Sequence, residues 1–241
     1  MGSIPTSGIR FSLGTVCGRY TLTDPDPRML RFRFDLSESA EIEERPRFNV
    51  APTDPVLAIR INKEGEREPG RLRWGLIPHY ADPVQWDRLL INARAETIDE
   101  ASAFRDAFEG GFRCLIPADG FYEWRATETG KQPLWITRPD RELFAFAGLF
   151  AGAKHQDGSK LYSCTIVTCP PGEVVKPIHD RQPVILDREA EGAWLDRETG
   201  QDELRAMLEP TDELEATEVS EAVNSVREDG PHLLDPPLKL F

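Results

Sequence analysis

The chain has 241 residues, 39% hydrophobic and 29% charged, with a formal net charge of −13 at pH 7. That size supports one large domain or two small ones around a sizeable core, and no apolar run approaches the roughly 20 residues that span a bilayer. The acidity argues against non-specific nucleic-acid binding by the whole surface and leaves room for a local basic groove. Only six of the 29 basic residues are Lys, a composition that fits a halophilic source. In chain order, residues 1–15 read as a leader without the apolar core or cleavage pattern of a secretory signal. Residues 26–45 predict a short helix closed by Pro46. "VLAIRINKEGEREPGRLRWGLI" (56–77) predicts a hairpin around a Gly- and charge-rich turn. In 95–111, Ile98, Ala101, Phe104, Ala107 and Phe108 recur at helical spacing ahead of a Gly pair. "FRCLIPADGFYEW", "PLWITRP", "LFAFAGLFAG" and "YSCTIVTCP" predict β segments. Residues 189–210 predict a helical pair, and "TEVSEAVNSV" (217–226) a last strand. Strands do not alternate regularly with helices, so the expected class is a β-rich α+β single domain rather than a parallel doubly wound sheet.

The four cysteines (Cys17, Cys114, Cys164 and Cys169) form no C-x-x-C pair. They suggest reduced thiols and a cytoplasmic setting rather than a disulfide framework. Cys164 and Cys169 lack paired His for zinc, and G-x-S-x-G is absent, so neither a metal site nor a serine triad is expected. Polar residues inside apolar segments stand out instead. Asn92, Arg94 and Glu96 alternate in "LLINARAET" and share one face if extended. Glu123 sits between Tyr122 and Trp124. His179, Asp180 and Arg181 precede the apolar "PVIL", and Arg73 and Trp74 precede a Gly. Each has a plainer reading: a half-exposed Glu with core neighbours, a hydrogen-bonded structural His, an Asn closing a turn, arginines paired with surplus carboxylates, a core Trp.

Taken together, "CGRYTL", "RFNVAPT", "RWGLIP", "NARAET", "FRCLIPADGFYEW", "FAFAGLF" and "HDRQPVIL" resemble the successive motifs of the SOS-response-associated peptidase (SRAP) family, over residues 17–235. The resemblance implies a β-rich α+β fold, barrel-like with antiparallel sheets and peripheral helices, and a basic groove for DNA. It implies a monomer that senses abasic sites in single-stranded DNA without a cofactor, and captures them through an N-terminal cysteine as a thiazolidine. By motif, Cys17 is the nucleophile and Glu123 the acid/base carboxylate. His179 assists sugar-ring opening or proton transfer, and Asn92 hydrogen-bonds the substrate. Arg19, Arg73, Arg94 and Arg181 are implied phosphate contacts, and Trp74 a stacking or wedging residue. Two rival readings are a cysteine-dependent peptidase and a non-covalent single-strand binder.

That chemistry needs a free amine and a thiol on one residue. The amine attacks the ring-opened aldehyde, and the thiol closes a five-membered ring on the imine carbon. An α-amino pKa near 7.7–8.0 leaves a neutral fraction that a lysine near 10.4 does not. Cys17 is internal here, and its nitrogen is an amide. Three expectations compete: that translation starts at Val16 if its codon is GUG, that residues 1–16 are cut away, or that they stay and the protein only binds DNA.

Overall fold

In the computed structural model, which describes residues 18–237, the β-branched and apolar runs form thirteen strands. They are β1 (Tyr20–Leu22), β2 (Arg47–Val50), β3 (Pro55–Ile61), β4 (Arg67–Trp74), β5 (Asn92–Arg94), β6 (Arg113–Ala118), β7 (Gly120–Thr127), β8 (Gly130–Thr137), β9 (Phe144–Lys154), β10 (Lys160–Cys169), β11 (Gln182–Pro183), β12 (Ile185–Leu186) and β13 (Glu215–Glu218). Four short helices accompany them: α1 (Pro27–Phe34), α2 (Ser102–Glu109), α3 (Ala190–Leu195) and α4 (Gln201–Ala206). Among the described residues no helix is long and apolar enough to cross a membrane.

Strands β10, β4, β3, β6 and β9 pair in that order, and β9 pairs back onto β10. The five strands therefore close into a small barrel, which removes the open edges of the sheet. Alternate side chains fill its interior, among them Ala58, Leu72, Cys114, Ile116, Phe146, Cys164 and Ile166. The opposite faces, with Leu57, Ile59, Leu115, Ala147 and Val167, pack against Leu30 and Phe34 of α1, Phe108 of α2, Trp194 of α3 and Leu204 of α4. The helices thus wrap the barrel from outside, as period-2 alternation along buried strands requires.

A second, antiparallel sheet runs β13-β8-β7-β1-β2. Its Tyr20, Phe121 and Ile136 join the barrel-interior cluster. Tyr20 meets Trp74 edge-on at 5.4 Å and Phe146 at 5.7 Å. The sheet therefore covers the barrel end where β4 finishes. Its outer face, at Tyr122, is closed by Val219 and by a strap of two 3-10 turns, Glu221–Asn224 with Val223 and Pro231–Leu234 with Leu233.

The expected β-rich α+β class, hairpin and four central β segments are all present. Some boundaries differ, for local reasons. Helix α1 starts where expected, with Asp26 Oδ1 capping Arg28 N at 2.8 Å and Pro27 in the first turn. It stops at Phe34 rather than running to Pro46, because Asp35 turns left-handed at φ 51°. The helix expected over 95–111 is a 3-10 turn (Ala95–Thr97) followed by α2. The last expected strand ends at Glu218, and Ser220 caps a 3-10 turn instead.

The β7–β8 ladder is tight at Gly120, where a Cβ would overlap Trp135 Nε1 and stand 2.7 Å from its Cε2. The indole Nε1 also donates to Thr21 Oγ1 at 3.0 Å. Gly120→Ala should therefore push Trp135 off that bond and lower stability by about 1–3 kcal/mol or more, the range for overpacking a full site. Thermal melts would read this, and an unchanged melting temperature would show that Trp135 is free to move.

Candidate active site

Glu123 lies on β7, and only 2% of its surface is exposed. Strand alternation turns Phe121 and Glu123 toward the barrel and Tyr122 and Trp124 toward the strap. The β1–β7 register pairs Tyr20 with Phe121 and Thr21 with Gly120, and Tyr122 N donates to Arg19 O at 3.0 Å. Carried on one residue, that register sets Gly18 opposite Glu123. A Cβ at Gly18 would touch nothing within 4 Å, so the position borders open space. Cys17, the next residue back, lies outside the described residues.

Asn92 opens β5, which pairs in parallel with β10 at Ile166. Strand β4 pairs with the same edge of β10 slightly earlier, at Ser163 and Cys164. The chain thus leaves that edge at Trp74 and returns to it at Asn92, bringing "RWGLIP" and "NARAET" into line. Asn92 Nδ2 is buried and has no hydrogen-bond partner among the described residues. A buried donor left unpaired is costly, so an amide in this state is set up for an acceptor from a ligand.

His179 follows a helical turn in which its N donates to Val175 O at 2.9 Å. Its Nδ1 accepts from Arg181 N at 3.2 Å. Burial lowers its pKa below the usual histidine value, and the 88%-exposed Asp180, 3.0 Å from Nδ1, only partly offsets this. The imidazole is therefore neutral at pH 7, with Nδ1 as acceptor and the proton on Nε2.

The arginines divide. Arg181 is 8% exposed, and its fork is taken by both Glu96 oxygens and by Thr168 O at 2.6 Å. It ties "NARAET" to "HDR", holds Glu96 below the usual carboxylate range, and offers no fork to a phosphate. Trp74 is fully buried and donates from Nε1 to Ile91 O at 3.0 Å. Arg94 is exposed, and Arg19 and Arg73 are half-buried. None of these three has a carboxylate within 4.0 Å among the described residues. Arg19 Nη1 donates to Asn49 Oδ1 and Val223 O, both at 2.9 Å, and Arg73 Nη1 to Gly75 O at 2.8 Å. Burial lowers both guanidinium pKa values, yet neither loses its charge.

Asn49, which the sequence reading passed over, joins these parts. It is 1% exposed, and its Nδ2 donates to Ser225 O at 2.9 Å and Glu228 O at 2.8 Å. The available signal was an amide inside the otherwise strand-forming "RFNV". Among the described residues no group of three His, Cys, Asp or Glu side chains could hold a metal ion.

The family model described as "SOS response associated peptidase (SRAP)" matches residues 16–226. The chain belongs to the SRAP family. Abasic site processing protein YoqW of Bacillus subtilis (strain 168) is 42% identical over 225 residues, covering 91% of this chain and 99% of that protein. Abasic site processing protein HMCES of Gallus gallus is 33% identical over 223 residues, covering 80% of this chain and 66% of its own length. A crystal structure from Bacteroides thetaiotaomicron superposes with a TM-score of 0.80 at 22% identity, over 92% of this chain and all of the other, which shows the fold. One from Bordetella bronchiseptica superposes with a TM-score of 0.72 at 29% identity, over 85% of this chain and 100% of that one.

Proposed function

We propose that the protein senses abasic sites in single-stranded DNA and captures them covalently through Cys17. The observation that carries this reading is the β1–β7 register, which brings the backbone leading out of Cys17 alongside the buried Glu123. The names of the relatives, abasic site processing proteins, support the abasic site as the substrate. The other three cysteines support the choice of nucleophile. All are buried, which pushes the Cys114 and Cys169 thiols up to about 12 and Cys164 well above its usual value. A thiol so hard to ionise is a poor nucleophile.

The reaction balances with loss of one water. The Cys17 amine adds to the aldehyde carbon of the opened sugar. The carbinolamine hydroxyl leaves as water, giving an imine. The Cys17 sulfur adds to the imine carbon while its proton passes to the nitrogen, closing the thiazolidine. Glu123 takes the amine's proton and returns it to the departing hydroxyl. His179, neutral with Nε2–H, donates toward the sugar ring oxygen as the ring opens. Asn92 Nδ2 holds a substrate oxygen. Arg19, Arg73 and Arg94 supply positive charge for flanking phosphates in a chain that is otherwise strongly acidic. Ring closure is intramolecular, so proximity drives it.

The amine must be free, so we propose that residues 1–16 are absent from the active form. The test is a protein beginning at Cys17, incubated with single-stranded DNA bearing one abasic site. A heat-stable adduct is expected, and Cys17→Ala should abolish it. No adduct, or one undiminished by Cys17→Ala, would refute the proposal. Protein hydrolysis abolished by the same substitution would favour a peptidase.

A further inference from the structure

At the other end of the barrel, where β3 and β9 finish and β4 and β10 begin, lies a cleft of about 840 Å³. That volume is in the range of small-molecule sites, and barrel mouths are among the places where such sites form. Asn92, Arg94, Glu123 and His179 take no part in its lining. Tyr162 at the cleft and Thr168 beside Arg181 are six steps apart along β10, about 20 Å of strand.

The lining combines two features. The first is exposed aromatic surface: Tyr162 is 41% and Phe112 46% exposed, and Phe112 meets Phe150 edge-on at 5.7 Å. The Arg60 guanidinium lies 5.3 Å from the Phe150 ring centre and 5.7 Å from that of Tyr162. Its Nε is buried without a hydrogen-bond partner among the described residues. The second is positive charge. The carboxylates Glu68 and Asp106 are paired, with Arg60 at 3.4 Å and with His79 at 3.8 Å. Lys63, Lys160 and Arg197 also line the cleft and have no carboxylate within 4.0 Å among the described residues. Glu64 is the remaining carboxylate of the lining. A chain of net charge −13 with six lysines places two of them here.

Part-exposed aromatic side chains ringed by cations that have no carboxylate partner among the described residues suit a flat ring that carries an anion. We infer that this mouth is a second nucleotide site, taking a base against Tyr162 and Phe112 and its phosphate on Lys63, Lys160 and Arg197. The choice of a nucleotide among aromatic anions rests on the DNA reading above.

The test uses lesion-free ligands and the protein beginning at Cys17. Deoxyadenosine monophosphate should move the backbone amide NMR signals of Gly152 and Tyr162 at millimolar concentration, leaving those of Asn92 and Arg94 in place. Tyr162→Ala should weaken its binding about five- to 100-fold, the worth of one base–aromatic stack. Lys63→Glu/Lys160→Glu touches no core packing and should weaken binding comparably while melting like the parent. Single strands of increasing length separate the two sources of the ligand. A loss in the double variant that grows with length marks a segment of bound strand, and one confined to the monophosphate marks a free nucleotide. Unmoved Gly152 and Tyr162 signals, or full binding by the double variant, would overturn the inference. Capture of an abasic site in a five-nucleotide strand should proceed at the parent rate in the double variant, so failure here leaves the capture reading intact.

Discussion

Glu123→Gln is expected to slow covalent capture of an abasic aldehyde by about 10²–10⁴-fold, the range for losing a positioned general acid–base. The amide keeps the shape of a side chain only 2% exposed, so the loss reads proton transfer rather than packing. Single-turnover assays with the protein beginning at Cys17 would measure it, and an undiminished rate would remove Glu123 from the chemistry. The pH profile should carry His179 as well. Its pKa lies below 6.5 because burial disfavours the imidazolium, so it stays neutral through pH 7 and charges only on the acid side. Protonation there puts a hydrogen on Nδ1 and breaks the acceptor bond to Arg181 N. The rate should fall below pH 6.5 with this second step, distinct from the loss of neutral α-amine near 7.7–8.0. His179→Gln should lack the lower step and keep the upper one.

Removing a buried carboxylate far from the site is expected to be the most damaging single change to stability. Glu191 on α3 is fully buried and grips Arg33 of α1 through two bonds, 2.7 Å and 3.1 Å, with Arg67 of β4 at 3.6 Å. Arg33 Nε also donates to Leu143 O at 2.9 Å, and Arg67 Nη1 to Phe34 O at 2.9 Å. Helices α1 and α3 and strand β4 thus share one anion. Glu191→Ala leaves two largely buried guanidinium groups without their counter-charge, a change that costs about 3–5 kcal/mol. At about 2–4 °C per kcal/mol for a domain of this size, the melting temperature should drop by roughly 6–20 °C. Replacing both partners, Arg33→Met with Glu191→Leu, should recover much of the loss, because desolvation offsets most of what the pair contributes. A Glu191→Ala protein that melts like the parent would show that this ion pair is not what holds α1 to α3.

The strands were legible because their signal is local. "VLAIRI" and "YSCTIVTC" carry apolar, β-branched runs between turn residues, and each became a strand. The helix ends were harder. Asp35 halts α1 through its own backbone angle, and Leu36 and Ile42 then reach the core from irregular chain, so apolar spacing alone overshot. The site was legible by residue type and not by partner. Asn92 and His179 keep features suited to a ligand, a buried unpaired donor and a neutral ring. Arg181 and Trp74 carry the same motif signal, yet one is spent on Glu96 and the other on Ile91 O. Those partners are set by the β10 register, which places Asn92 at Ile166 and Arg94 at Thr168 and so brings Glu96 to Arg181.

The link from Arg19 to Val223 spans 204 positions of sequence. A chain emerging from the ribosome makes β1 among its first elements, while Asn49 lacks the carbonyls of Ser225 and Glu228 until nearly two hundred residues later. For most of its synthesis this end of the barrel is left without its outer wall, and Arg19 without a fixed direction. This end of the barrel is therefore completed only in the last stretch of translation, when the Val223, Ser225 and Glu228 carbonyls arrive.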